Sequence, residues 1–295
     1  MIKIISTPEN EKEYLEYIMN EAQANKDGRI PNIVALDITT RTAQIVWLPP
    51  VMTYEGIILL NPLENNPFTF SESEDDRKQE LFFYQTHKDI EVELFPIVAR
   101  LLNIAENPEM REGELIIELE SIKTWLVFAV TKMLWLYKNL DTGAFSRFRW
   151  FFEGIKFRYK DGTNYPGPSG ASSAIFPTLD LILGIDTVEP LSVLAHDVRP
   201  ILSGRGYTTI QEMTRAQKVV SDIGSLSVRF ENSPQLLKQL KECIDSIKKF
   251  RVWHRANVQK FVPKAMSGES EWTWWASNVP AYLWKIIENT KRMGS

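Results

Sequence analysis

One cysteine, Cys243, stands in 295 residues. A lone thiol makes no internal disulfide, no paired-cysteine zinc site and no four-thiolate cluster, and it fits a reducing, cytoplasmic setting. Histidine is nearly as scarce, with three in all: His87, His196 and His254. None falls in a His-x3-His or His-Glu-x-x-His spacing, so the short-range signatures of zinc are missing. Positive charge is not in excess either: 34 Lys+Arg face 38 Asp+Glu, a formal net charge of −4. With no basic run to offset that balance, a nucleic-acid partner is not expected, because such affinity comes from neutralising many phosphates. Long apolar runs are absent. The longest strongly apolar patch, Trp125 to Val130, falls far short of the ~20 residues that span a bilayer. Met1-Ile2-Lys3-Ile4 runs into charge by Glu9 without the apolar core of a secretory signal. Neither a membrane partner nor export is expected.

What the sequence does have is apolar and aromatic content: 44% apolar, 24% charged, and nine Trp, nine Tyr and fifteen Phe. That composition suits a globular chain long enough for one large domain or two ordinary ones. Aromatics mostly fill cores, so their positions decide whether any line a site. Residues 1–70 read as a separate N-terminal segment. A short helix fits 9–24, a hairpin fits the Ile-, Val- and Thr-rich stretch 33–47, and Pro49, Pro50, Pro62 and Pro67 break the remainder into loops. The acidic run Glu72-Ser73-Glu74-Asp75-Asp76 reads as a solvated helix start, since carboxylates favour a helix N-terminus. Residues 71–295 read as one mainly α-helical domain. Its periodicity predicts helices over 77–104, 113–140, 144–158, 172–184, 190–202, 208–226, 234–262 and 278–292. Ser233-Pro234 supplies an N-cap and a first-turn proline for the long seventh helix.

Three of these helices carry polar residues on their apolar faces. On the seventh, Leu237, Leu240, Ile244, Ile247, Arg251, His254, Val258 and Phe261 recur at spacings of three and four, so an arginine and a histidine point inward. On the first, Phe83, His87, Ile90, Leu94, Ile97 and Leu101 do the same, with Pro96 inside the helix. On the third, Phe145, Arg149 and Phe152 share a face. Such groups rarely face a core without partners. A lone inward histidine is often a satisfied core group, and an arginine among aromatics is often a surface cation–π pair. Three such anchors on three helices point instead to a cavity. A non-haem iron needs two histidines and a carboxylate, for which His87, His196 and His254 could in principle supply the histidines. Haem needs one proximal histidine and an apolar pocket between helices, and is the least demanding metal reading.

These residues resemble a known family. Phe250-Arg251-Val252-Trp253-His254-Arg255-Ala256-Asn257-Val258-Gln259-Lys260-Phe261 is similar to the proximal-histidine helix of the indoleamine and tryptophan 2,3-dioxygenase superfamily. Gly167-Pro168-Ser169-Gly170-Ala171-Ser172-Ser173, followed by Leu179-Asp180-Leu181-Ile182-Leu183-Gly184-Ile185, resembles that family's Gly-Gly-Ser-Ala loop and the helix after it. Phe83-Tyr84-Gln85-Thr86-His87 resembles the distal segment, and Phe145-x3-Arg149 the carboxylate-binding arginine with its flanking aromatic. The matches run in order over about residues 80–262.

The resemblance implies an indoleamine 2,3-dioxygenase-like helical fold and a haem b cofactor, with dioxygen or hydrogen peroxide as oxidant. His254 would be the iron ligand, with Arg251 and Asp180 supporting the proximal side and a haem propionate. His87 would stand near the oxidant and the polar atom of the substrate ring. Phe83 and Phe145 would stack on that ring, Arg149 would clamp a carboxylate, and Ser169, Gly170 and Ala171 would line the haem edge and substrate loop. The implied substrate is an aromatic amino acid or a close derivative.

One stretch departs from the pattern. The dioxygenases carry Gly-Thr-Gly-Gly before a Phe/Tyr-Leu helix. Here Tyr282-Leu283 comes after Glu271-Trp272-Thr273-Trp274-Trp275-Ala276-Ser277-Asn278. A rigid Trp-rich lid in place of a flexible glycine-rich one argues against ordinary tryptophan 2,3-dioxygenation, and in its shortness the chain resembles the biosynthetic branches of the superfamily, which include the haem-dependent tyrosine hydroxylases and the tryptophan-rearranging monodechloroaminopyrrolnitrin synthase. The expectation is an oxygenase that inserts a single oxygen atom into an indole or phenol ring, with indole-ring opening and a haem sensor without turnover as alternatives. His196 reads as structural or exposed, and the sequence selects no oligomeric state.

Overall fold

The computed structural model describes residues 54–59, 61–65, 67–149, 173, 175–185 and 210–265. Every regular element among the described residues is helical. A π-helical turn at Glu55–Leu59 is followed by α1 (Glu74–Glu106), α2 (Glu112–Asn139), α3 (Thr142–Arg149), α4 (Ile175–Leu183), α5 (Ile210–Ile223), α6 (Leu226–Arg229) and α7 (Pro234–Ala265). The helix over 9–24, the hairpin over 33–47, the second half of the helix over 144–158 and the helices over 190–202 and 278–292 lie outside the described residues. So do Phe152, Ser169, Gly170, Ala171, His196 and the Trp272-Trp274-Trp275 cluster.

The local signals act as their chemistry dictates. Ser73 caps α1, its Oγ accepting the Asp76 backbone N–H at 3.2 Å, and Glu74, Asp75 and Asp76 fill the first turn. α1 runs through Pro96, which lies on its exposed side. Asp141 caps α3, its Oδ1 accepting the Ala144 N–H at 2.7 Å. Pro234 opens α7 and the Ser233 hydroxyl stands 3.4 Å from the Leu236 nitrogen. The helix expected over 208–226 is interrupted. Gly224, at φ 82°, ends α5, and Ser225 starts the separate α6, a break hidden because the apolar period continues into Leu226.

The chain divides into two compact units. Described residues 54–88, 140–149 and 173 belong to the first, and 89–139, 175–185 and 210–265 to the second.

In the second unit, α2 buries Leu115, Leu119, Ile122, Leu126, Ala129, Met133 and Leu136, an unbroken alternation of four and three. α7 answers with Leu236, Leu240, Cys243, Ile247 and Phe250 in the same alternation. The two helices run parallel. Ser233 donates to Glu112 (2.5 Å), Lys123 to Glu242 (2.7 Å) and the Asn257 amide to the Met133 carbonyl (3.0 Å), and Lys260 reaches the Tyr137 carbonyl. Partners rise together along both helices, with sequence separations held between 119 and 124. α7 is thereby fixed against α2 from its first residue to beyond His254.

α4 packs on α5 and is buried nearly all round, through Ile175, Thr178, Leu179, Asp180, Ile182 and Leu183. It ends at Gly184, φ 81°, where the N–H groups of Gly184 and Ile185 both donate to the Asp180 carbonyl at 2.9 Å. A Cβ at Gly184 would run into the hydroxyl oxygens of Ser227 and Ser225, the latter at 2.5 Å. Gly184→Ala therefore combines a left-handed backbone with a clash and is expected to destabilise by about 2 kcal/mol or more in urea unfolding.

In the first unit, α3 sends Phe145 and Phe148 inward while Arg147 turns out to grip Asp76, Nε to Oδ2 at 2.6 Å and Nη2 to Oδ1 at 2.5 Å. That pair joins the first turn of α1 to α3.

Candidate functional site

Two groups of side chains collect the predicted residues. The first lies on α1 and α3. Phe83 is its hub, with ring centroids 4.2 Å from His87, 5.5 Å from Phe145 and 5.8 Å from Phe148. Phe145 and Phe148 meet edge to face at 5.3 Å. Arg149 is half-buried at the last residue of α3, one turn beyond Phe145. The structure thus brings His87, Phe83 and Phe145 together, as the stripes predict.

His87 has a defined hydrogen-bonding state. Its Nδ1 lies 2.8 Å from the Phe83 carbonyl oxygen, which only accepts, so Nδ1 carries the proton. In the neutral ring Nε2 is then a bare lone pair. Burial pushes the imidazole pKa down to about 4, against the weaker upward pull of the Phe83 carbonyl. At neutral pH His87 is an acceptor and a base. The lowered pKa also makes stability depend on pH. Between about 6.5 and about 4 the unfolded chain binds this proton and the folded one does not, so folding stability falls as pH drops through that window. His87→Gln is expected to flatten this stretch of the stability–pH curve, measured by urea unfolding at several pH values.

A buried carboxylate supports this group. Glu80, fully buried, accepts the backbone N–H of Phe70 at 2.8 Å, that of Ser71 at 2.9 Å and the Tyr84 hydroxyl at 2.5 Å. Burial pushes the Glu80 carboxyl up, and burial together with the nearby carboxylate raises the Tyr84 phenol well above its usual range. Both are structural at neutral pH, and Tyr84 packs on Phe83 at 6.1 Å.

The second group lies on α4 and α7. His254 is half-buried on α7, its ring 6.2 Å from that of Phe250 one turn earlier. Phe250 stacks on Phe176 of α4 at 4.2 Å and 21°. Between Phe250 and His254 in sequence, Arg251 is 5% exposed, and its Nη2 bonds both oxygens of Asp180, itself 2% exposed. The pairing of Arg251 with Asp180 that the resemblance implies is present. Breaking such a buried pair costs more than forming it returns, because one charge is left without its partner.

Some site-bordering residues were not singled out in the sequence. Asn257 is buried one turn past His254. Its Nδ2 donates to Met133 and Trp253 carbonyls, while its Oδ1 is buried without a hydrogen-bond partner. Tyr54, Glu80, Tyr84, Phe148 and Phe176 also escape the stripes. The spacing Glu80-x3-Tyr84 was the available signal for one pair. Cys243 lies on the fully buried face of α7. Its thiol stands 3.4 Å from the Leu119 carbonyl, and burial pushes its pKa up to about 12. A thiolate ligand is thereby ruled out.

Among the described residues no three of His, Cys, Asp or Glu converge as a metal-binding cluster. The described donors hold a metal only if it brings other ligands with it. One imidazole on a helix face, a stacked aromatic pair and a buried cation nearby fit a macrocycle with an anionic edge. No described helix is long and apolar enough to cross a membrane.

A model of the indoleamine 2,3-dioxygenase family matches residues 14–273. No curated protein matches the chain. With helical architecture, the imidazole-bearing α7 and a match over most of its length, the chain belongs to the indoleamine 2,3-dioxygenase family of haem-dependent oxidoreductases, which use dioxygen on aromatic amino acids.

Proposed function

We propose that this chain is a cytoplasmic oxygenase that inserts one oxygen atom into the indole or phenol ring of an aromatic amino acid or close derivative, using haem b with dioxygen or hydrogen peroxide. Residues 71–295 form the catalytic domain in this reading. The observation that carries it is the state of His87. A neutral imidazole with a bare Nε2, set against the Phe83–Phe145 rings, selects a flat ring bearing an N–H or O–H donor.

Each residue then has a task. His254 would offer its imidazole to the iron from the fixed face of α7, and Arg251, held by Asp180, would offer its charge to the anionic edge of the haem. When bound, the haem supplies the oxidising chemistry. Phe83 and Phe145 hold the substrate ring, and the apolar wall keeps water off it. His87 accepts a hydrogen bond from the ring N–H or O–H at Nε2 and so orients the ring. Arg149 offers a planar fork to the substrate carboxylate, and Ser169, Gly170 and Ala171 are assigned to the haem edge and the substrate loop by the family resemblance alone. The Trp272-Thr273-Trp274-Trp275 sequence supports a lid that is stiffer than a glycine-rich one.

Opening of the indole ring by two oxygen atoms is the second reading, favoured by the description of the matching family. The test is a panel of Trp, Tyr and their derivatives, run with dioxygen plus reductant and separately with peroxide, read by the Soret shift and by product mass. Products carrying one added oxygen support the proposal. A ring-opened formyl product from tryptophan establishes the second reading. Arg149→Ala is expected to raise KM roughly 10- to 100-fold with haem retained, the loss of a charge-assisted clamp worth about 1.5–3 kcal/mol. An unchanged KM removes Arg149 from the site.

A further inference from the structure

The described residues just before α1 make specific contacts with it. Tyr54 is 8% exposed, and its ring stands edge-on to His87, at 77° with centroids 6.3 Å apart. It begins a short apolar plug in which Ile57, Ile58 and Leu59 are 2%, 1% and 7% exposed. Behind the plug the chain is pinned to α1 twice. Asn61, fully buried, closes a loop by bonding the Phe68 backbone through both ends of its amide, each at 2.9 Å. Its carbonyl accepts the Lys88 ammonium at 2.9 Å. Further on, the backbone N–H groups of Phe70 and Ser71 end on the Glu80 carboxylate. Glu80 and Lys88 flank Phe83 and His87 along the same helix.

We propose that Tyr54 is the positioning residue for His87: the strap 54–71, pinned at Glu80 and Lys88, holds the Tyr54 ring against the imidazole so that the substrate's ring donor meets Nε2 from one direction only. This rests on the reading of His87 as the substrate-side imidazole. The Nδ1–H bond to Phe83 fixes which nitrogen is bare, and Tyr54 fixes how the ring stands and keeps water from it. Selectivity for substrates with an accessible ring N–H or O–H is the consequence of that restraint.

Among the described residues, few ionisable groups lie on the elements around His87. Tyr84 and Glu80 are bonded to each other, Lys88 is bonded to the Asn61 carbonyl, Arg149 ends α3, and Glu91 lies buried one turn further along α1. Burial is the main influence on the imidazole, and the Tyr54 ring stands edge-on beside it.

The test tracks the His87 imidazole by NMR titration, first in the protein without haem and then in the holoprotein. The chain has only three histidines, and His87→Gln identifies the signal. Tyr54→Ala is expected to move the titration upward by about one pH unit, toward the ordinary histidine value, and Tyr54→Phe to leave it in place. Should Tyr54→Ala fold poorly, Tyr54→Leu keeps the plug apolar and is expected to move the titration the same way by less. In the holoprotein, Tyr54→Ala is expected to weaken binding of tryptophan or tyrosine, read by the Soret change, with haem content unchanged. A His87 titration identical in wild type, Tyr54→Ala and Tyr54→Leu overturns the inference. Failure of any aromatic amino acid to bind defeats the functional reading, yet leaves the titration result legible.

Discussion

His254→Ala is expected to yield folded protein that no longer shows the wild-type Soret band after reconstitution with hemin. The imidazole is half-buried on a helix pinned on both sides of it, at Ser233 and at Asn257 and Lys260, so alanine removes the proposed iron ligand and leaves the scaffold in place. The buried thiol of α7 is not ready to substitute. The Cys243 thiol is buried and stays protonated to about 12, and no acidic or histidine cluster forms among the described residues. The far-ultraviolet circular dichroism should match wild type, and added imidazole should restore part of the Soret intensity by entering the space left behind. Retention of an unchanged Soret band by the alanine variant defeats the assignment of His254.

The second large effect is expected at the Arg251–Asp180 pair. Asp180→Ala leaves a guanidinium that is 5% exposed without its carboxylate, and a loss of ~3–5 kcal/mol is expected in urea unfolding. The double variant Arg251→Met, Asp180→Leu replaces the ion pair with apolar groups of similar size. Its stability is expected to return close to wild type. Haem affinity separates the two roles of the pair. If Arg251 serves the cofactor as well as the fold, the stable double variant should still bind hemin about 10- to 100-fold more weakly. Full recovery of both properties would reduce the pair to a structural device.

The helical architecture was readable because its apolar period is long and regular. The alternation Leu115, Leu119, Ile122, Leu126, Ala129, Met133, Leu136 is plain in the sequence and is buried as a unit. His87 and Arg251 were legible for the opposite reason, as polar residues at apolar positions. Periodicity could not reveal Tyr54, which reaches His87 through a non-repeating segment held by Asn61, Lys88 and Glu80. Nor could it reveal the Gly224 break, since a glycine within a continuing apolar pattern gives no sign of its φ. The tautomer of His87 depends on a backbone carbonyl one turn away and is set by geometry alone.

The parallel register of α2 and α7 bears on how this chain folds and how it can diverge. Each contact between them closes a loop of about 120 residues, at an entropic cost on the order of 4 kcal/mol. The His254 face is therefore assembled late, after the local helices, and hemin capture during refolding should report the slowest structural step. The same arithmetic makes the crossover permissive: doubling its length adds only about 0.6 kcal/mol. Segments between Leu140 and Ser233 can lengthen or shorten while the ends of the rail, Ser233 on Glu112 and Lys260 on Tyr137, keep His254 at a constant height along α2.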